Sequence, residues 1–121
     1  MKAGDTVFPL DPSLREPHLV MTDPDSLGRI AVVNPSTRRS FSDACCLLQP
    51  GAHPFVIRET VAMYQSAVLA PDSTLEMWVR EHRVERRQPA SAALLLQIRR
   101  GAVACEMTRR DVKAAVEASL A

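Results

Sequence analysis

Several features that assign a protein to a large functional class are missing from this sequence. No apolar run in its 121 residues approaches the roughly 20 residues that a membrane-spanning helix needs. The first residues contain no apolar stretch of signal-peptide length, so we expect a cytoplasmic protein. The net charge is only +1, which excludes a strongly basic coat for nucleic acid and leaves room for a local basic patch. With 46% hydrophobic residues, the chain is long enough to form one domain with its own core.

Motifs for common cofactors are also absent. The chain has no G-x-G-x-x-G dinucleotide fingerprint, no phosphate-binding Walker loop and no G-x-S-x-G nucleophile motif. Its three cysteines are Cys45, Cys46 and Cys105, and they lack the C-x2-C spacing of a zinc site. Adjacent cysteines are poorly placed to bridge each other, so we expect reduced thiols, with one of the adjacent pair in the core. We therefore expect neither a metal nor another cofactor.

Proline and aromatic residues divide the chain into two parts. Eight of the nine prolines lie before residue 72, and all five aromatic residues lie before residue 79. Because proline is poorly tolerated inside helices, the first part is expected to consist of strands and turns. Short β-branched runs predict a small antiparallel β-barrel over residues 1–70, followed by a helical C-terminal segment over residues 71–121, an α+β fold within a single domain. The expected strands cover residues 5–8, 18–22, 29–34, 44–48, 55–57 and 60–64.

The helical segment is predicted from capping patterns. Residues 73–76 fit a capping box, so a helix is expected to begin there and to run to about Arg87. A leucine-rich stretch over residues 91–100 predicts a second helix that ends at Gly101, because glycine is typical of helix C-termini. A second capping box at residues 108–111 predicts a third helix. The apolar stripe of this last helix consists of Val112, Ala115, Val116 and Leu120.

The charged run over residues 80–87 permits two interpretations. Acidic and basic residues alternate there, which is typical of a helix face exposed to solvent. Its four arginines are alternatively placed to bind the phosphates of a nucleic acid. The first interpretation is favoured, and it treats His82 as a bystander.

A cluster of chemically active side chains follows the Pro-Gly turn at residues 50–51. His53 comes shortly after this turn, and strand alternation would place Thr60 and Tyr64 on the same face. An imidazole, hydroxyl groups and a guanidinium are the groups with which a metal-free ribonuclease moves protons and holds the phosphate. The alternative is a histidine that fixes a turn, beside a hydroxyl and a phenol that edge the core. The candidate catalytic residues are His53, Arg58, Thr60 and Tyr64, and the nearby cations that could hold a phosphate are Arg38 and Arg39.

The N-terminal third carries a family resemblance. Its segments are residues 4–7 (GDTV), 17–23 (PHLVMTD) and 30–37 (IAVVNPST), in this order along the chain. Over these segments the chain resembles the PemK/MazF-like toxins. The resemblance implies a small SH3-like β-barrel that cleaves single-stranded RNA and is neutralised by an antitoxin.

The resemblance also implies roles for particular residues. The family's hydroxyl after the third strand is matched here by Ser36 or Thr37. The family's catalytic arginine lies in the loop after the first strand, where this chain offers Arg15. That loop is usually rich in glycine in the family, and in this chain it contains proline and acidic residues instead. The resemblance therefore adds Ser36, Thr37 and Arg15 to the candidate substrate-binding residues.

The preferred functional interpretation is a toxin-like, metal-independent endoribonuclease of a toxin–antitoxin system. In this reaction the 2′-hydroxyl of the RNA attacks its own phosphate and leaves a 2′,3′-cyclic phosphate. The alternative is a non-catalytic module that uses the same barrel to bind a protein or a nucleic acid. A third hypothesis is a regulator whose helical tail assembles an oligomer. The expected partners are single-stranded RNA, a cognate antitoxin and, as a candidate, a second copy of the chain in a homodimer; no membrane is expected.

Overall fold

The computed structural model describes residues 1–14, 16–37, 45–54, 56 and 58–120. These residues contain eight β-strands, three α-helices and one 3-10 helix, so the fold class is α+β, as expected. The strands are β1 (Thr6–Pro9), β2 (His18–Val20), β3 (Arg29–Val33), β4 (Pro35–Thr37), β5 (Leu47–Leu48), β6 (Thr60–Ala62), β7 (Val68–Pro71) and β8 (Val84–Arg87). The helices are α1 (Asp72–Arg80), α2 (Ala92–Ala104) and α3 (Arg110–Leu120), and the 3-10 helix is Tyr64–Ser66. Within the described chain, none of these helices has the length and apolarity needed to cross a bilayer.

The strands form two antiparallel sheets. The larger sheet has the order β7-β3-β2-β1-β8, and the smaller sheet has the order β4-β6-β5. The chain passes from one sheet to the other at Asn34, the single residue between β3 and β4. The strands that the structure describes form no closed barrel. The first three expected strands coincide with β1, β2 and β3, whereas most of the expected strand at residues 55–57 lies outside the described residues.

The five-stranded sheet is buried on both faces. On one face, Leu19 belongs to a core that includes Ile98 of α2 and Val112 of α3. On the other face, Val20 belongs to a second core that includes Leu75 of α1. Because successive side chains of a strand point to opposite faces, one short apolar strand contributes to both cores. The helices therefore cover the sheet from two sides, and its edges are where side chains reach solvent.

The charged run that was expected to be helical is divided between a helix and a strand. α1 ends at Arg80, and Val84–Arg87 form β8, which pairs with all four residues of β1. Between them, His82 has a φ of 57°, a left-handed conformation that interrupts a helix. Val84 is 1% exposed and packs into the second core. The prediction of a solvent-exposed helix that continues to Arg87 is therefore wrong. The last four residues of the run instead form an edge strand of the five-stranded sheet.

Arg86 and Arg83 of this run form ion pairs with carboxylates of other elements, whereas Arg87 pairs with Glu85 of its own strand. Arg86 in β8 lies 2.9 Å from Glu76 and 3.4 Å from Asp5, so it links the sheet to α1. Arg83 lies 3.1 Å from Asp11. Arg83 and Arg86 therefore connect separate parts of the fold, a structural role that the phosphate-binding interpretation of the run does not include.

α2 continues through Gly101, although a helix end was expected there. The helix begins after Ser91, whose Oγ accepts a hydrogen bond of 3.1 Å from the backbone N–H of Leu94. It ends at Ala104. A Cβ atom at residue 101 would collide with the phenol oxygen of Tyr64. The glycine is therefore needed for a close approach between the helix and this ring, and not as a helix cap.

The expected capping boxes do not form. α1 begins at Asp72 without a side-chain cap, although its expected box was at residues 73–76. The hydroxyl of Thr108, in the second expected box, is buried and has no hydrogen-bond partner. The third helix nevertheless forms where it was expected, because burial of its apolar stripe stabilises it: Val112 and Val116 are both 0% exposed.

The cysteines are not all reduced. Cys45 and Cys105 form a disulfide, with their Cα atoms 5.6 Å apart and a separation of 60 positions in sequence. Cys46 keeps a free thiol and is buried, so one of the adjacent pair faces the core as expected. The expectation of three reduced thiols is wrong because Cys105, remote in sequence, lies beside Cys45 in the fold.

Val112→Asp is expected to destabilise the protein by about 3 kcal/mol or more, because an unpaired carboxylate would enter the core between α3 and the sheet. Chemical denaturation followed by far-UV circular dichroism measures this loss. Ala114→Asp, at an exposed position of the same helix, is the control and should change stability little. An unchanged denaturation midpoint for Val112→Asp would contradict the burial of this face.

Stability is expected to fall in mildly acidic solution because of His18. This ring packs edge-to-face against Trp78, with ring centroids 5.8 Å apart. Burial lowers the pKa of His18 below its ordinary value of 6.5, so the folded protein holds the ring neutral. As the pH falls below about 6.5, the unfolded chain gains a proton that the folded chain does not, and the free energy of unfolding decreases.

Urea denaturation at a series of pH values measures this dependence. His18→Gln should flatten the decline below about pH 6.5, whereas His82→Asn, at an exposed histidine, should keep it. A wild-type protein equally stable on both sides of that pH would show that the ring is not held neutral.

Candidate functional site

A small pocket lies at the β8 edge of the five-stranded sheet. It has a volume of about 120 Å³ and is lined by Phe8, His53, Pro54, Arg87 and Gln88. β1 contributes the aromatic ring, β8 the guanidinium, and the turn after β5 the imidazole. Three elements that are far apart in sequence therefore meet at this one edge.

The strand register explains how the aromatic ring and the guanidinium come together. Phe8 pairs with Glu85, and Arg87 lies two residues further along β8, on the same face of the sheet. The guanidinium carbon of Arg87 lies 4.4 Å from the centroid of the Phe8 ring, which is cation–π geometry. Glu85 Oε1 lies 2.6 Å from the Arg87 side chain. A carboxylate, a guanidinium and an aromatic ring thus form one patch beside the pocket.

His53 is held in a defined orientation. The residue is 5% exposed, and its Nε2 lies 2.6 Å from the carbonyl oxygen of Gln88. Because a carbonyl oxygen only accepts, Nε2 is the donor of this hydrogen bond. The same Gln88 oxygen accepts a 2.8 Å hydrogen bond from Thr6 Oγ1 of β1. One carbonyl therefore positions the imidazole relative to the sheet.

The turn that carries His53 is closed by backbone hydrogen bonds. The N–H of Val56 donates to the carbonyl of His53 at 2.8 Å, and the N–H of Gly51 donates to the carbonyl of Val56 at 3.0 Å. Gly51 has a φ of 93°, a conformation that favours glycine. The Pro-Gly pattern that indicated a turn in the sequence is therefore explained by this backbone geometry.

Tyr64 and Thr60 are placed in the interior. β6 ends at Ala62, so the strand alternation expected to align the two residues does not extend to Tyr64, which begins the 3-10 helix. Tyr64 is 0% exposed and its phenol donates a 2.7 Å hydrogen bond to the carbonyl of Ile98. Thr60 is 6% exposed and its hydroxyl donates to the carbonyl of Arg58 at 2.9 Å. Both hydroxyl groups thus bond to backbone carbonyls, and neither residue lines the pocket of His53. This placement agrees with the alternative in which Thr60 and Tyr64 edge the core.

The remaining sequence candidates are dispersed. Arg58 is exposed beyond the turn. Ser36, in β4, donates a 3.2 Å hydrogen bond from its hydroxyl to Glu16, and Thr37 is exposed at the end of the same strand. The candidates Arg15, Arg38 and Arg39 lie outside the described residues. Among the described candidates, His53 is the one that lines the pocket.

The sequence interpretation missed the pocket residues on β1 and β8. The sequence pattern places Phe8 in a strand without a functional role, and it places Arg87 and the neighbouring Glu85 in a helix. A helix that ended at His82 would have left Val84–Arg87 as a short segment before Pro89, and this is the one local signal that favours a strand there.

A second concavity lies between α3 and the β2–β3 hairpin. This groove has a volume of about 730 Å³, and Arg99 of α2 extends into it. Arg99 Nε donates a 2.7 Å hydrogen bond to the carbonyl of Met21. Asp25 accepts from the backbone N–H and the side chain of Arg29, and these contacts lower the pKa of its carboxyl group. The other groove residues are Thr22, Asp23, Leu69, Asp111, Ala114, Ala115, Ala118 and Ser119.

In the part of the chain that the structure describes, no group of three or more His, Cys, Asp or Glu side chains is arranged so that it could hold a metal ion.

None of the family models, curated proteins and solved structures compared with the chain matches it. The resemblance to the PemK/MazF-like toxins therefore depends on the sequence segments alone.

Tyr64→Phe is expected to lower the free energy of unfolding by about 1 kcal/mol, because the buried hydrogen bond to Ile98 is lost. Urea denaturation at neutral pH measures it. If Tyr64 instead acted on a substrate, the variant would keep its stability and lose an activity, and that pattern would contradict the structural role.

Proposed function

We propose that the protein is a metal-independent endoribonuclease of the toxin–antitoxin kind, which cleaves single-stranded RNA at the pocket of His53. The observation that supports this proposal is the convergence of an imidazole, a guanidinium and an aromatic ring at one exposed sheet edge. These are the groups that RNA cleavage without metal uses: one to transfer protons, one to stabilise the phosphate and one to stack a base.

In the proposed reaction, the 2′-hydroxyl attacks the adjacent phosphorus and the 5′-oxygen leaves. His53, oriented by Gln88, donates a proton to the leaving 5′-oxygen. Arg87 stabilises the charge that develops on the phosphate oxygens. Glu85 lies 2.6 Å from the side chain of Arg87 and supplies the carboxylate that accepts the proton of the attacking 2′-hydroxyl. These roles replace those that the sequence suggested for Thr60 and Tyr64, whose hydroxyl groups are used inside the fold.

The exposed face of the Arg87 guanidinium, stacked on Phe8, provides a flat surface for a nucleobase. Stacking on aromatic and guanidinium planes is the usual way in which proteins hold unpaired bases. A base in a duplex is already stacked on its neighbours, so this surface favours single-stranded RNA.

The family resemblance supports the same function. The segments that carry it lie within residues 4–37, which form β1, β2, β3 and β4. In this proposal the two sheets are an open variant of an SH3-like barrel, with the chain crossing between them at Asn34. A cognate antitoxin and a second copy of the chain are the proposed protein partners.

Single-stranded RNA incubated with the protein in excess chelator tests the proposal. Cleavage is expected, with a 2′,3′-cyclic phosphate product, and a 2′-deoxy substrate should stay intact. His53→Ala should slow cleavage by about 10²–10⁴, as expected for loss of a general acid or base. Arg87→Ala should slow it by about 10²–10³, whereas Arg100→Ala, an exposed arginine of α2 outside the pocket, is the matched control.

Cleavage of the 2′-deoxy substrate would overturn this mechanism, and so would strict dependence on magnesium. Equal losses in Arg87→Ala and Arg100→Ala would show that charge, and not the pocket, is responsible.

A non-catalytic RNA-binding module at the same edge is the second candidate. The low exposure of His53 and its hydrogen bond to Gln88 favour this candidate, because a buried, tethered ring can serve to shape the turn. Fluorescence anisotropy with labelled single-stranded RNA separates the two functions. Binding that is lost in Arg87→Ala, with no cleavage by the folded wild-type protein, would favour the module.

A further inference from the structure

The disulfide lies at the start of the segment that carries the pocket histidine. Cys45 precedes β5 and the turn of His53, whereas Cys105 follows directly after α2. We propose that this disulfide is a thiol-responsive switch, which holds the His53 pocket together when oxidised and releases it when a dithiol reduces the bond. The inference adds regulation to the proposed function and rests on it for the effect on RNA cleavage.

Noncovalent contacts also hold the start of this segment: the N–H of Ala62 donates a 3.2 Å hydrogen bond to the carbonyl of Cys46, and the side chains of Cys46 and Leu48 are buried in the core. β5 has only two residues, Leu47 and Leu48, and pairs with β6 over those two positions. Gln97 of α2 donates a 3.4 Å hydrogen bond to the carbonyl of Leu47. At the far end, the hydrogen bond between His53 and Gln88 connects the turn to the five-stranded sheet. Because a two-residue ladder is weak by itself, the covalent bond to Cys105 is an important additional restraint on the segment.

The link also closes a long loop. The two cysteines are 60 residues apart in sequence, so the bond removes much conformational freedom from the chain between them. This loop contains β6, β7, α1 and β8, and it therefore includes Arg87 and Gln88. The disulfide thus joins the two ends of the part of the chain that supplies most of the pocket.

The two cysteines of the disulfide differ in their exposure to solvent. Cys45 is exposed, whereas Cys105 is 2% exposed. A thiolate of an external dithiol attacks the Cys45 sulfur, forms a mixed disulfide and releases the Cys105 thiolate, which takes up a proton. The second thiol of the dithiol then attacks the mixed bond and releases Cys45. The protein disulfide gains two electrons and two protons, and the dithiol becomes a disulfide.

Cys46 is next to the bond but is poorly suited to attack it. Burial raises the pKa of the Cys46 thiol, so the thiol stays protonated at neutral pH. Its side chain packs in the core of Tyr64, Ile98 and Cys105. Exchange within the protein is therefore slow, and reduction by an external dithiol is the route that opens the link.

Whether the disulfide is oxidised or reduced depends on the redox conditions around the protein. In an oxidising compartment the disulfide persists and the pocket is assembled. In a reducing cytosol the bond opens, the segment before His53 loosens and the contact with Gln88 is weakened. The oxidised form is therefore the one in which the imidazole is positioned beside Arg87.

Nuclear magnetic resonance of the full chain, with and without excess dithiothreitol, tests the switch without any RNA. On reduction, the ring signals of His53 are expected to shift, and amide exchange of Leu48 and Val56 is expected to accelerate by about tenfold or more. The amides of Ile30 and Val32, in the centre of the larger sheet, should keep their protection and so report that the protein stays folded.

Variants give a second measurement. The double variant Cys45→Ser with Cys105→Ala should resemble the reduced protein under all conditions and should not respond to dithiothreitol. Cys46→Ala is the matched control and should respond as the wild type does. Identical His53 signals and amide exchange in the oxidised and reduced wild-type protein would overturn the switch.

RNA cleavage distinguishes this failure from a failure of the proposed function. Cleavage that falls by about tenfold on reduction, together with the His53 shift, supports both proposals. Redox-dependent His53 signals in a protein that never cleaves RNA support the switch and overturn the ribonuclease. Cleavage that is equal in both redox states, with unchanged His53 signals, overturns the switch alone.

Discussion

The antiparallel pairing of β1 with β8 brings a late segment of the chain into the N-terminal sheet, and the candidate site depends on it. The four-residue register between Thr6–Pro9 and Val84–Arg87 sends Val84 into the core and directs Glu85 and Arg87 to the opposite face. In a continuous helix the same charged residues would have spread around a cylinder. The pairing instead aligns them beside Phe8, because residues two apart on a strand share a face.

The carbonyl of Gln88 extends the effect of this pairing to the rest of the pocket. It follows β8 directly and accepts hydrogen bonds from Thr6 on the neighbouring strand and from His53 on a separate turn. One backbone oxygen thus connects three parts of the chain. This explains why the imidazole lies next to Arg87, although nothing in the local sequence around His53 predicts that neighbour.

The interior shows why a set of reactive residue types close together in sequence is a weak guide to a site. Tyr64 donates to the carbonyl of Ile98, and its oxygen lies so close to α2 that residue 101 must be glycine. Thr60 donates to a carbonyl two residues away. A phenol and a hydroxyl thus satisfy backbone groups inside the fold, where an unpaired carbonyl would be costly. The side chains that line the pocket lie instead at the β8 edge of the five-stranded sheet.

Local patterns along the chain were sufficient for the early strands and for the last helix. β1, β2 and β3 are short β-branched runs bounded by turns, and α3 carries an apolar stripe with helical spacing, so the local pattern indicates both. The α+β class follows from these elements. Other features required contacts between residues that are remote in sequence: Thr6 bonds to Gln88 across 82 positions, His53 bonds to it across 35, and the disulfide spans 60. A strand at Val84–Arg87 has only the weak local signal of the proline that follows it, and a glycine inside α2 and a bridged Cys105 have none. Each of these features is selected by a partner that only the folded chain brings near.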